Sequence, residues 1–173
     1  AERTDALLGP IRQAVGARDV WVGVTQRGGP VSVMASSIDS LGTASRLERD
    51  SPLPGCESIR TGAPQWAASG EAMTRWPMIR AFTADLDDAL AALPLRHGSE
   101  TFGCVVLRWA PPFDFDPQRR TMLIAIAEVV AQAIQRVQLL EHERAVARAL
   151  QDSMLLQRLP VLDDFWKRTD RGH

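Results

Sequence analysis

Between Pro117 and Arg158 the chain carries no glycine and no proline beyond Pro117 itself, and this unbroken stretch constrains the fold more than any other feature. A proline in the first turn of a helix loses little, because its missing N–H would have had no partner there. Asp114 or Asp116 is placed to cap the start. At 1.5 Å per residue such a helix runs roughly 60 Å, about twice the width of a small domain. Half of it is therefore expected to project from whatever core the rest of the chain builds.

The two halves of the stretch differ accordingly. Leu123, Ile126, Ala127, Val130, Ala133, Ile134 and Val137 form a broad apolar stripe at helical spacing, suited to a core. From Leu140 the stripe narrows to Leu140, Ala147, Leu150 and Met154, a heptad-like seam interrupted by Glu143 and flanked by Glu141, Arg144 and Arg148. One reading is a solvated helix end; the preferred one is a two-helix contact in a homodimer. Each Leu or Met buried there would contribute about 1.5–3 kcal/mol. Leu8 and Ile11, on a first helix carrying Leu7, Leu8, Ile11 and Val15, join those four as candidate dimer contacts.

A chain of 173 residues with 45% hydrophobic content has room for one domain with a proper core. Its net charge of −1 excludes bulk attraction to nucleic acid. No stretch is read as a membrane span or a signal peptide, so the expected location is the cytosol. Arginine heavily outnumbers lysine, Lys167 being the single lysine, which fits a GC-rich bacterial source. Cys56 and Cys104 have no C-x-x-C spacing and suggest neither a disulfide framework nor a zinc site.

Along the chain, the Gly9-Pro10 pair is expected to kink or delay the first helix. The period then changes: Val20, Val22 and Val24 alternate with Trp21, Gly23 and Thr25, and Val31 to Ser36 alternates again after Arg27-Gly28-Gly29-Pro30. That pattern predicts a hairpin. Ile38 to Asp50 reads as irregular. Ser51 would cap a short helix over Pro52 to Arg60 that Gly62 stops, and Ala63 to Ala67 reads as a short strand. Glu71 to Phe82 reads as a helical cover broken by Pro77. A second hairpin, Ala89 to Leu95 and Thr101 to Trp109, surrounds His97-Gly98-Ser99. Two hairpins among helices predict an α+β fold on an antiparallel sheet, since tight hairpins cannot give parallel neighbours.

This order resembles a GAF domain, and three stretches strengthen the likeness: RLERDSPLPGCESIRTGAPQW, ALAALPLRHGSETFGCVVLRW and FDFDPQRRTMLIAIAEVVAQAIQRVQLLEHER. They are similar to GAF domains lying N-terminal to serine phosphatases of the stage II sporulation protein E type, over about Arg46 to Arg144. The following ALQDSMLLQRLP resembles the linker into that phosphatase, except that Leu156 stands where the family has proline. The last residues, VLDDFWKRTDRGH, do not resemble the first phosphatase strand. The expected organisation is a GAF-like sensor over 1–140, a projecting linker helix over 141–160 and a tail over 161–173.

The resemblance implies a small-molecule pocket between the sheet and the covering helices, with Met34, Trp66, Met73, Trp76 and Phe82 as candidate lining; Arg60 or Arg80, if turned inward, is a candidate anion holder, though exposed arginine is the usual case. The competing reading is that the lining residues fill a second core. It implies no catalysis and leaves the cofactor open. His97, in a turn, and His142, on the projecting helix, are poorly placed as haem ligands, His173 is terminal, and Asp85, Asp87 and Asp88 read as a solvated patch, so no metal is expected. The chain has no asparagine, so the cyclic-nucleotide motif of such domains is missing.

Three functions remain. The first is a sensor that binds a small molecule or partner and signals through a dimeric exit helix to an effector such as a serine phosphatase. The second is a ligand-free dimerisation scaffold. The third is a cysteine-based redox sensor or free methionine sulfoxide reductase, which needs Cys56 and Cys104 gathered over one pocket.

Overall fold

In chain order the elements of the computed structural model are α1 (Glu2–Val15), β1 (Asp19–Thr25), β2 (Val31–Ser36), β3 (Arg46–Leu47), α2 (Pro54–Thr61), β4 (Gln65–Ala67), α3 (Ala72–Arg75), a 3-10 turn (Pro77–Ala81), β5 (Ala89–His97), β6 (Glu100–Trp109) and α4 (Pro117–Thr169). The structure describes residues 2–26, 28–38, 41 and 45–169, with side chains described over 8–154 of these.

The alternating runs become hairpins as expected. β1 pairs with β2 and β5 with β6, both antiparallel. Gly28, at φ 76, and Gly98, at φ 59, supply the left-handed backbone that the turns require. An antiparallel β1–β6 pair joins the hairpins, giving the order β3-β2-β1-β6-β5-β4. The result is an α+β fold in which a six-stranded antiparallel sheet is flanked by helices and followed by a long C-terminal helix.

Strand alternation divides the sheet residues between two faces. Trp21, Val31, Val33, Leu90, Ala92, Cys104 and Val106 share one buried cluster with Leu53, Cys56 and Ile59 of the α2 region and with Trp76 and Ile79 of the cover. The intervening residues Val20, Val22, Leu93, Leu95, Val105 and Leu107 are buried on the other face, where α1 meets β1 and β2. Leu8 of α1 is buried, as are Leu123, Ala127, Val130 and Ala131 of α4.

Gly55 lets α2 lie close on the sheet: a Cβ there would stand 2.7 Å from the Trp21 ring and 2.9 Å from Cys104 Sγ. At the helix end Gly62 takes φ 64 and its N–H donates to Ser58 O, the stop read from the sequence.

Several expectations are corrected. α1 runs through Gly9-Pro10 without interruption. Leu53, not Ser51, is the N-cap of α2 and makes no side-chain cap, because the helix begins at Pro54 rather than Pro52. The irregular stretch before α2 contributes β3, paired with β2. Of the two caps offered for α4, Asp116 is the one used, as the sequence allowed, accepting the Arg119 N–H at 2.8 Å, while Asp114 accepts from Phe115.

Pro160 does not end α4, which continues to Thr169, so most of the expected tail is helical; residues 170–173, with His173, lie outside the described residues. The chain forms two compact units, residues 1–131 and 132–173. The expectation that no segment is apolar enough to span a membrane also needs revision. Over Pro117–Met154, α4 is long enough, and one eighteen-residue window reaches a mean hydropathy of 1.5. Length and composition are all that this establishes.

Candidate ligand-binding site

Between the sheet and the cover lies a small apolar cavity of about 30 Å³. Its floor is Trp21, Leu90, Val106 and Arg108; its walls and roof are Ile38, Leu41, Leu47, Leu53, Pro54, Ile79, Phe82 and Thr83. That volume is room for one or two water molecules. Alternation puts Arg108 there: Cys104 and Val106 face α2, so Arg108 does too, opposite Asp19 on β1 and Leu90 on β5.

Arg108 is 6% exposed, unusual for an arginine. Its Nη2 donates to the Asp19 carboxylate. Nη1 stands 4.0 Å from Asp88 Oδ2, beyond hydrogen-bonding distance. Neither Nη1 nor Nε has an acceptor among the described residues. A buried donor left in that state costs about 1–3 kcal/mol, which makes Arg108 the least satisfied side chain among the described residues around the cavity.

The surrounding charges are arranged in a chain. Arg18 Nη1 donates to both Asp88 oxygens at 3.2 Å and pairs with Asp85 at 2.9 Å. Burial pushes the Asp88 carboxyl above its usual range, against the pull of Arg18 and Arg108. Asp88, 3% exposed, is therefore a structural member of this network, not part of a solvated acidic patch.

The cover is held by a second polar group. Trp76, 1% exposed, donates its indole N–H to Glu57 Oε2 at 2.6 Å, and Arg75 donates to Glu57 Oε1 at 2.8 Å. Burial alone would raise the Glu57 carboxyl. The hydrogen bonds from Trp76 and Arg75, with the charges of Arg75 and Arg60, outweigh it and hold the carboxyl below its usual range.

Of the candidates read from the sequence, the cavity gathers Phe82. Trp76 and Met73 belong to the cover and pack on the same cluster without lining the cavity. Trp66 faces away: strand alternation turns Gln65 and Ala67 inward, and the Trp66 ring packs on Phe115 at 5.2 Å. Met34 falls between the buried Val33 and Ala35 of β2 and so also faces away. Arg60 is exposed and donates to the carbonyls of Arg49 and Ser51, at an open polar groove that Arg49 and Arg96 also line.

Sequence reasoning missed Arg108 and Asp19, and placed Asp88 in a solvated patch. The available clue was one charged residue inside the apolar run Val105-Val106-Leu107-Arg108-Trp109.

The candidate dimer contacts separate in the same way. Leu8 is buried within its own chain and Ile11 is half-buried, whereas Leu140, Ala147, Leu150 and Met154 are exposed. Leu139 and Val146, outside the seam as read, are exposed as well.

Cys56 and Cys104 sit in the one core cluster, each 0% exposed. Burial pushes the Cys56 thiol up against the pull of Arg60, and burial together with Cys56 pushes up Cys104. Thiolate is the reactive form, so this environment opposes redox or nucleophilic chemistry. No group of three potential metal ligands occurs among the described residues.

A family model described as GAF domain matches residues 2–135. The chain belongs to the GAF domain family. GAF domains are regulatory sensor domains, and known GAF structures share this chain's architecture. The GAF domain of a two-component sensor histidine kinase from Bacillus halodurans superposes with a TM-score of 0.65 at 11% identity, covering 81% of this chain and 97% of that one. The GAF domain of a phosphoenolpyruvate-protein phosphotransferase from Coxiella burnetii gives 0.64 at 15%, covering 82% and 85%.

A type II free methionine-R-sulfoxide reductase from Thermoplasma acidophilum gives 0.59 at 12%, covering 78% and 92%. At these identities the likeness is one of fold. No curated protein sequence matches the chain at a significant level.

Proposed function

We propose that this GAF domain is a sensor: a small molecule enters the cavity under the Phe82 cover, and the response leaves through α4 in a homodimer. The observation that carries the reading is the apolar cavity with a buried, incompletely satisfied arginine in its floor. Apolar walls with one or two convergent polar groups are the usual make-up of a small-molecule site. Occupancy drives a response only through different affinities for two arrangements of the exit helices. The exposed Leu139, Leu140, Val146, Leu150 and Met154 give α4 an apolar surface for a second copy. An effector such as a serine phosphatase completes the proposal, on the likeness of the C-terminal linker. The same reading keeps the domain in the cytosol, with Glu128, Arg136, Glu141, Glu143 and Arg144 punctuating α4.

The scaffold reading has one observation in its favour, the small volume of the cavity. A thermal-shift screen of small, largely apolar compounds separates the two. A sensor gives compounds that raise Tm in the wild type and fail on Phe82→Trp, which fills the cavity from the cover. A screen in which no compound discriminates between the two proteins leaves the scaffold.

A further inference from the structure

Arg108 also bears on which molecule the cavity takes. We infer that the ligand is a small, predominantly apolar and uncharged molecule bearing one hydrogen-bond-accepting oxygen, which accepts from Arg108. This rests on the reading of the cavity as a ligand site and adds the chemical class.

The cavity lining offers little besides hydrocarbon. Among its described residues Thr83, Arg108 and the indole N–H of Trp21 supply the polar side-chain groups, and the Thr83 hydroxyl oxygen already accepts the Asp85 N–H at 3.0 Å. Arg108 is more than nine-tenths buried, and its Nε and Nη1 have no acceptor among the described residues. Both N–H groups are covered in the closed arrangement, so a ligand oxygen reaches one only as the lining yields; there it satisfies a donor that the protein itself does not, and that contact offsets the desolvation of the oxygen.

The charge balance selects against an ion. Arg18 and Arg108 are set against Asp19, Asp85 and Asp88, two cations among three carboxylates. Asp19 already occupies Nη2, and the Asp88 carboxylate stands 4.0 Å from Nη1. An incoming carboxylate would add a further negative charge beside these two in a site of low polarity, where like charges repel strongly. A cation would meet the Arg108 guanidinium itself, because Asp19 and Asp88 stand at that guanidinium without lining the cavity and no carboxylate is among the described residues that do. A carbonyl, ester, ether or hydroxyl oxygen avoids both penalties.

Size sets the second condition. A single six-membered ring needs more than this cavity's volume of about 30 Å³, since an engineered cavity that takes benzene is about 150 Å³. Phe82, half-buried at the end of the 3-10 turn, is the lining side chain best placed to yield.

Three probes of one shape separate the alternatives: acetophenone carries a neutral carbonyl, cumene is its hydrocarbon counterpart, and benzoate is the anion. Each is titrated into the full 173-residue chain, following amide and indole NMR shifts at Trp21, Leu90 and Val106. Acetophenone is expected to bind about five- to tenfold more tightly than cumene, the equivalent of one recovered hydrogen bond, and more tightly than benzoate. Arg108→Met should bring acetophenone down to cumene while leaving cumene unchanged. If that variant does not fold, the three wild-type affinities decide alone.

Equal binding of acetophenone and cumene overturns this inference and leaves the cavity a ligand site. Tightest binding of benzoate also overturns it, in favour of an anion. Failure of all three to shift the cavity resonances overturns both this inference and the sensor reading beneath it.

Discussion

Trp76→Phe removes one N–H donor and part of a ring from the anchor that holds the cover over the cavity. The lost hydrogen bond runs to a carboxylate at 2.6 Å, a class that contributes about 1.5–3 kcal/mol when well buried. The Glu57 side chain is 27% exposed, so solvent screens part of that, and about 1–2 kcal/mol is the expected share. Loss of ring volume adds a packing cost at a site 1% exposed.

A double-mutant cycle with Glu57→Gln separates the two contributions, because packing is lost in both backgrounds and the charged acceptor in one. Urea unfolding followed by circular dichroism at 222 nm gives the four free energies. The pH dependence supplies a second check. The Glu57 carboxyl is held below its usual value in the folded state, so its contribution is fully present above the unfolded pKa of about 4.3 and is lost as pH falls through the lower folded value. The coupling measured at pH 7 should therefore shrink on acidification below about pH 4. A coupling under about 0.5 kcal/mol at pH 7, or one that persists unchanged in acid, refutes the role given to Glu57.

Four further substitutions or probes bear on other parts of the fold. Gly55→Ala places a Cβ 2.7 Å from the Trp21 ring and should destabilise the domain by about 1–3 kcal/mol in urea; an unchanged midpoint would show that α2 can shift freely. Both thiols are fully buried, so Ellman's reagent should label neither in the native protein and both after unfolding. One rapidly labelled native thiol would restore the redox reading. Leu150→Asp, at a position 60% exposed, should change stability by no more than about 0.5 kcal/mol while lowering the mass found by sedimentation equilibrium. An unchanged mass counts against the α4 seam. Leu8→Asp, at a position buried in its own chain, should unfold the domain instead.

The hairpins, the Gly62 stop and the Pro117 start were legible because each depends on neighbours a few residues away. Alternation set β1, β2, β5 and β6, and Pro77 split the cover where it stands. What lay beyond the sequence depends on pairing over long separations. Arg108 meets Asp19 across 89 residues, and only the β1–β6 register shows that it shares the cavity face with Trp21. Trp66 has the composition of a lining residue, but the β4–β5 register turns it to the opposite face. β3, with two residues, is too short to carry a period, and it exists because β2 offers an edge. Of the residues around the cavity, Phe82 was named from the sequence and Arg108 in its floor was not.

A crystal structure of the chain saturated with acetophenone tests the sensing cavity most directly. The expected result is the ring between Phe82 and Trp21, with its carbonyl oxygen about 2.7–3.2 Å from Nε or Nη1 of Arg108. A cavity still closed on its own side chains, with the probe bound elsewhere or not at all, would contradict it.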